Sequence, residues 1–100
     1  MYVSVSWEII DGADSQQVIR NAVIKCFDGL QRCELLPNTM LLAVRTVSQW
    51  NTLLANLMGV EFVYGPQFGF TLFEHRTGET FRCSESYDKV AAQAITGVPQ

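Results

Sequence analysis

The first ten residues largely alternate between apolar and polar side chains. One set, Val3, Val5, Trp7 and Ile9, is uniformly apolar. The other set includes two serines and Glu8, which suit a wetter surface. A period of two is typical of a strand that packs on one face only. We therefore predict a strand from Tyr2 to Ile10, followed by a turn at Asp11–Ala13.

The next segment has a helical period. It extends from Ser15 to Leu30, and one face of it carries the apolar residues Val18, Ile19, Ala22, Val23, Cys26, Phe27 and Leu30. Asp14 is a suitable N-cap because its carboxylate can accept a backbone N–H group. Gln17, three residues later, completes a capping box, so we predict an amphipathic helix.

The segment Thr39–Gly59 combines a strand with a helix. A continuous apolar run from Met40 to Val44 predicts a buried strand within Thr39–Thr46. After Trp50 the apolar residues recur at helical spacing, at Leu53, Leu54, Leu57 and Met58. A strand that leads directly into a helix is half of a βαβ unit.

Capping signals bound this second helix at both ends. Thr46 followed by Gln49 matches a capping box, and Ser48 is an alternative N-cap. Gly59 is a suitable C-cap, because glycine readily adopts the left-handed conformation that ends many helices. We therefore predict that the helix ends at Gly59 and that Val60–Tyr64 forms a separate strand.

A further short strand at Gln31–Leu36 completes the order βαββαβ. Pro37 and Asn38 predict a tight turn between this strand and the next. The order predicts an α+β, ferredoxin-like fold: a four-stranded antiparallel sheet with both helices on one face. The two most apolar strands, Tyr2–Ile10 and Thr39–Thr46, are expected in its centre.

The last third of the chain predicts a C-terminal β-hairpin and a short helix. Strands at Phe68–His75 and Glu79–Ser84 flank a turn, and a helix follows from Ser86 to Ile95. We therefore expect one domain over residues 1–100, with a core at 1–64 and an extension at 65–97.

The extension is rich in large apolar side chains with no evident place in a four-stranded core. These are Phe68, Phe70, Leu72, Phe73 and Phe81. They either cover the second face of the sheet or extend its edge and pair with a neighbouring molecule. We favour the second arrangement.

Charged residues are scarce. They make up 17% of the chain, against 48% apolar residues and a typical charged share of about a quarter. Between Leu35 and Val60 the only charged side chain is Arg45. So low a share of charged residues indicates that part of the surface is covered, most simply by a second copy in a homodimer.

The charge pattern and the cysteines narrow the possible partners. The net charge is −3 and no two basic residues are adjacent, which weighs against a nucleic-acid partner. No apolar run reaches membrane-spanning length, and no basic leader precedes the first strand, so we expect neither a membrane nor a signal peptide. Three cysteines without a CxxC motif are typical of thiols in a reducing, cytoplasmic setting.

Two carboxylates follow the first strand. Glu8 and Asp11 lie at its C-terminal end, where ligands tend to bind in open α/β sheets. They are candidate catalytic and metal-binding residues, able to hold Mg²⁺ in a dimer. The structural alternative is a solvent-facing strand residue and a turn former.

Arg45 and His75 are the other candidate site residues. Arg45 is either the contact of a bound anion or the cross-strand partner of Glu8. His75 is a candidate acid–base group at a hairpin tip, although an exposed strand-end residue fits it better. We do not expect Cys83 to lie directly opposite His75, so a cysteine–histidine pair is disfavoured.

Two stretches resemble the small dimeric nucleases of CRISPR adaptation and the related antitoxin endoribonucleases. They are YVSVSWEIIDG and NTMLLAVRTVSQWNTLLANL, and the resemblance spans roughly residues 1 to 74. It implies a ferredoxin-like dimer whose last strand pairs across the interface, with Asp11 or Glu8 as the metal-binding carboxylate. The chain has Trp7-Glu8 where these nucleases have Tyr-Asp.

Three functions remain open on these grounds. We favour a non-catalytic binding or assembly module that acts as a homodimer and needs no cofactor. The first alternative is a metal-dependent nuclease of the type just named, which requires Mg²⁺. The second is a small-ligand sensor in which Arg45 contacts a small anion.

Overall fold

β1 (Tyr2–Ile9) lies in the middle of a five-stranded antiparallel sheet, in a computed structural model that describes residues 1–9 and 13–84. The sheet order is β2-β3-β1-β4-β5. The other elements are α1 (Ala13–Lys25), β2 (Gln31–Leu36), β3 (Thr39–Ala43), α2 (Val47–Tyr64), β4 (Phe68–Glu74) and β5 (Thr80–Ser84). The described chain is therefore α+β, as predicted.

The alternation predicted for β1 is confirmed. Val3 and Val5 are fully buried and Trp7 is almost so. On the two flanking strands, Val5 lies opposite Met40 of β3 and Leu72 of β4. The buried side chains of three adjacent strands thus face the same way and form one apolar layer.

α1 differs from its prediction at both ends. It begins at Ala13, so Asp14 lies inside its first turn, and it ends at Lys25 rather than Leu30. Turns follow, with Gly29 at a φ of 80°. That left-handed conformation suits glycine and ends the helical path before β2.

The start of α2 was predicted correctly and its end was not. Thr46 is the N-cap, and its hydroxyl accepts a hydrogen bond from the backbone N–H of Gln49 at 3.0 Å. The helix passes through Gly59 and ends at Tyr64, so the predicted strand at Val60–Tyr64 is wrong. The cause is that buried residues continue at helical spacing across the glycine, at Leu53, Leu57 and Val60.

The strand beside β1 is instead Phe68–Glu74, which we predicted as part of the extension. It pairs with β1 from Ile9–Phe68 to Val3–Glu74. Phe68, Phe70 and Leu72 are buried in the core, so the expectation that these side chains lie outside the core is wrong. Of the same set, Phe73 and Phe81 are 37% and 38% exposed.

Both helices contribute to a single buried cluster with one face of the sheet. Ile19, Val23 and Phe27 from α1 and the turn after it join Leu53 and Leu57 from α2 in this cluster. The two helices also contact each other. They therefore cover the same face of the sheet.

The opposite face of the sheet has no described helix on it. We call it the open face. Its centre is Ser4 of β1, which lies opposite Leu41 on one side and Phe73 on the other. The predicted helix at Ser86–Ile95 lies outside the described residues. Among the described helices, none has the length and apolar character needed to span a bilayer.

Candidate functional site

The C-terminal end of β1 borders a cleft of about 520 Å³. Glu8 is exposed there, and Gln16, Gln17 and Arg20 of α1 line the other side. Asp11, the second predicted carboxylate, lies outside the described residues. No group of three His, Cys, Asp or Glu side chains within the described part could hold a metal ion. A Mg²⁺ site at Glu8 and Asp11 thus stays a prediction.

Arg20 contacts several residues around this cleft, and the sequence analysis did not identify it as a candidate site residue. Its guanidinium lies 5.8 Å from the centre of the Trp7 ring. It donates to the carbonyl oxygen of Pro37 and forms an ion pair with Glu34 at 3.4 Å. These contacts fasten α1 to the turn between β2 and β3, so this cleft is well explained as a structural junction.

Glu8 and Arg45 do not form the cross-strand pair that was considered. β1 and β3 are antiparallel, and Tyr2 lies opposite Ala43. Arg45 therefore follows the end of β3 near the start of β1, whereas Glu8 lies at the other end of β1. The guanidinium of Arg45 instead donates to Oε1 of Gln31 at 2.9 Å.

Arg45 shares a second cleft with Arg76. This arginine cleft has a volume of about 330 Å³, and its walls include Val44, Val47 and Trp50. Arg76 belongs to the turn after β4, so the fold joins two basic residues that are remote in the sequence. No pattern in the sequence predicted that Arg45 and Arg76 line the same cleft.

His75 lies on the open face and is exposed, as expected of a strand-end residue. Its Nε2 is 2.5 Å from the hydroxyl oxygen of Ser4, a partner that sequence reasoning missed. The Phe73 ring meets the imidazole edge-on at 5.0 Å. Cys83 lies opposite Phe70 and not opposite His75, as expected, and it is on the core side of the sheet.

The Ser4–His75 contact meets the distance criterion for a nucleophile and its base. The pair is exposed on the sheet surface, however, and exposure keeps the dielectric high and weakens electrostatic activation. We interpret the contact as a cross-strand hydrogen bond that orders the start of the β4–β5 turn.

The edge strand β2 is the third feature of interest. All six of its residues are exposed. Arg32 lies opposite Leu42 and Glu34 opposite Met40, so both charged side chains are on the helix side of the sheet. Cys33 lies opposite Leu41 and is on the side of the open face.

The three cysteines have different surroundings: Cys26 is buried, Cys33 is exposed and Cys83 is intermediate. Burial raises the pKa of the Cys26 thiol to about 11. The thiol donates a hydrogen bond to the carbonyl oxygen of Ala22, with 3.3 Å between the sulfur and the oxygen. A thiol with so high a pKa is a poor nucleophile near neutral pH. Cys33, unlike Cys26, is exposed to solvent.

Comparison with known proteins adds no further assignment. No protein-family model, curated protein or solved structure matches the chain significantly. The resemblance to CRISPR-adaptation and antitoxin nucleases therefore stays a prediction from the sequence.

Proposed function

We propose that the chain is a non-catalytic assembly module that acts as a homodimer, and that two copies join through the exposed edge of β2. One observation supports this above all others. Every residue of β2 is exposed, and Arg32 and Glu34 give the strand a self-complementary order of charge.

The outer side of β2 offers backbone groups for pairing. It ends the sheet order, so no described strand adjoins it on that side. An edge strand presents unpaired N–H and C=O groups, which a neighbouring strand can satisfy. Antiparallel pairing about a two-fold axis uses the same patch on both copies. Leu35 and Leu36 are 50% and 59% exposed, so pairing also removes apolar surface from water.

Charge favours one register. With the two-fold axis at Cys33, Arg32 of each copy lies directly opposite Glu34 of the other. An axis at Arg32 or at Glu34 instead places like charges opposite each other, which is destabilising. The pairing of β2 with β3 is regular from Gln31 to Glu34, so the favoured axis lies in the regular part of the strand.

Ion pairs within each copy extend this arrangement. Arg32 is 3.7 Å from Asp28, and Glu34 is 3.4 Å from Arg20. In the dimer the Asp28–Arg32 pair of one copy adjoins the Arg20–Glu34 pair of the other copy. The result is a row of four alternating charges on each side of the axis, and networks of charges stabilise more reliably than isolated surface pairs.

The proposed axis also determines how the two sheets face. Directly opposite residues of antiparallel strands point to the same side of a sheet. Both copies then have their helices on one side and their open faces on the other. The joined open face, on which Tyr2 and Phe73 are exposed, is the surface that the assembly presents to other molecules.

The fold class and the location are part of the same proposal. We assign the domain to the ferredoxin-like class with an added C-terminal hairpin, and the order of β2, β3, β1 and β4 supports this. We place the protein in the cytoplasm, where a reducing environment suits an odd number of cysteines without a CxxC motif.

Sedimentation equilibrium of charge-reversed variants tests the dimer. We expect the wild type to dimerise, and Arg32→Glu or Glu34→Arg to raise the dissociation constant about tenfold or more, because two attractions become two repulsions. A mixture of these two variants should form a mixed dimer, because all facing charges are then opposite. Glu79→Arg, which makes the same charge change at the far edge of the sheet, is the control for Glu34→Arg.

Two results contradict the proposal. One is a wild type that stays monomeric at every accessible concentration. The other is a dimer that responds equally to Glu34→Arg and to Glu79→Arg, which places the interface elsewhere.

A further inference from the structure

Arg45 and Arg76 come from distant parts of the chain and line the same cleft. Arg45 lies between β3 and α2, and Arg76 lies in the turn between β4 and β5. We infer that the arginine cleft binds a small carboxylate with an apolar body. Arg45 donates a hydrogen bond to Gln31 of β2. Neither arginine takes part in the charge pairing proposed for the dimer, so the inference does not depend on that dimer.

Neither guanidinium has a carboxylate partner within salt-bridge distance in the described part of the chain. The ion pairs found there belong to Arg20 and Arg32. Arg45 donates its hydrogen bond to a neutral amide oxygen of Gln31. Arg76 is attracted by the charge of Glu74 without forming an ion pair with it, and Arg45 has no described carboxylate partner. A bound carboxylate would give each guanidinium a charge-assisted hydrogen bond of the kind that it lacks among these residues.

Glu74 attracts Arg76 electrostatically, but its carboxylate is also hydrogen-bonded to the turn. The carboxylate of Glu74 accepts backbone N–H groups from Arg76 at 3.2 Å and from Thr77 at 2.7 Å. These bonds hold the carboxylate on the backbone of the turn. No acidic side chain lines the arginine cleft itself, although Glu74 and Glu79 line a neighbouring cleft that also includes Arg76.

The walls of the cleft indicate which kind of anion fits. Val44 is buried, Val47 is exposed and Trp50 is half-buried, and together they form apolar surface beside the two guanidinium groups. Its volume of about 330 Å³ lies in the range of small-molecule pockets. A carboxylate can bind a guanidinium through two parallel hydrogen bonds while an apolar body covers the walls. Inorganic phosphate leaves those walls bare.

Titration with benzoate tests the inference. Binding is followed through the indole N–H resonance of Trp50 at low ionic strength, where surface charges are least screened. We expect saturable binding of benzoate that is about tenfold or more tighter than that of benzamide, its neutral counterpart. Inorganic phosphate should bind more weakly than benzoate.

Variants locate the site. Arg45→Ala and Arg76→Ala should each weaken benzoate binding about tenfold, because each removes charge-assisted hydrogen bonds. Both residues are exposed, so the folded state should persist, and thermal melting checks this. Lys25→Ala removes a positive charge that lines a different cleft and should leave the affinity unchanged.

Four results overturn the inference. The first is equal affinity for benzoate and benzamide, and the second is phosphate binding as tight as benzoate binding. The third is an affinity for benzoate that falls equally in Lys25→Ala and in the two arginine variants. Absence of saturable benzoate binding overturns it as well.

Discussion

The hydroxyl of Thr46 accepts a hydrogen bond from the backbone N–H of Gln49, and this bond begins α2. The side chain of Gln49 does not return to the N-cap itself. Its Oε1 accepts from the backbone N–H of Arg45 at 2.7 Å, one residue earlier. The capping box predicted from the sequence therefore forms with its second bond displaced by one position.

Thr46→Ala removes the cap of α2. We expect the free energy of unfolding to fall by about 1 kcal/mol, because a backbone donor of the first turn loses its partner. Thr46→Ser keeps a hydroxyl oxygen and should cost much less. Urea denaturation of the three proteins measures the difference. Equal loss in the alanine and serine variants contradicts a capping role.

Glu74 has a lowered pKa, chiefly through a side-chain hydrogen bond with Thr77 and also through backbone N–H groups of the turn. A carboxylate with a lowered pKa stabilises the folded state above its unfolded pKa, and this contribution is lost as the pH falls through the folded value. Thr77→Val should therefore raise the pKa of Glu74 toward its ordinary value. Carbon-detected NMR titration of the carboxylate measures it, with Thr77→Ser as the control. An unchanged pKa in the valine variant contradicts this assignment.

Cys26 and Cys33 should differ in reactivity. Burial and a pKa of about 11 keep the Cys26 thiol protonated at pH values near 8, whereas Cys33 is exposed. We expect a thiol reagent to modify Cys33 of the monomer quickly and Cys26 only after unfolding. Mass spectrometry of peptides from a timed reaction distinguishes the two. Rapid modification of Cys26 in the folded protein contradicts the buried position.

Substitutions of Glu8 and Asp11 distinguish an assembly module from a nuclease. For a non-catalytic module, we expect no cleavage of RNA or DNA by the purified protein with Mg²⁺ or Mn²⁺. Glu8→Gln and Asp11→Asn should then change neither metal binding nor dimerisation. Metal-dependent cleavage that disappears in Asp11→Asn contradicts the module and favours the nuclease alternative.

Local period predicted much of the fold. The alternation in β1 and the apolar run in β3 identified two neighbouring strands, and Thr46 correctly marked the start of α2. Gly59 led to a wrong prediction of the end of α2. A glycine favours a helix end less strongly than buried residues that continue at helical spacing, such as Leu57 and Val60, favour the helix. The error placed the fourth strand in the wrong segment.

The candidate sites were less accessible to sequence reasoning. Arg45 was a candidate from the sequence because the residues around it are uncharged. Arg76 lies at the same cleft because β4 pairs with β1, which the sequence pattern did not predict. Ser4 and His75 are 71 positions apart and meet for the same reason. Such contacts depend on strand order and register, which a local pattern does not specify.

Oxidative cross-linking at Cys33 tests the proposed dimer most directly. Residues on the two-fold axis of an antiparallel pair have Cα atoms about 4.5–5.5 Å apart, which suits a disulfide. With Cys26 and Cys83 replaced by serine, we predict rapid formation of a covalent dimer. Moving the cysteine to position 31, by Gln31→Cys with Cys33→Ser, separates the two Cα atoms by about 14 Å and should abolish the cross-link. Equal cross-linking at both positions, or none at Cys33, contradicts the account.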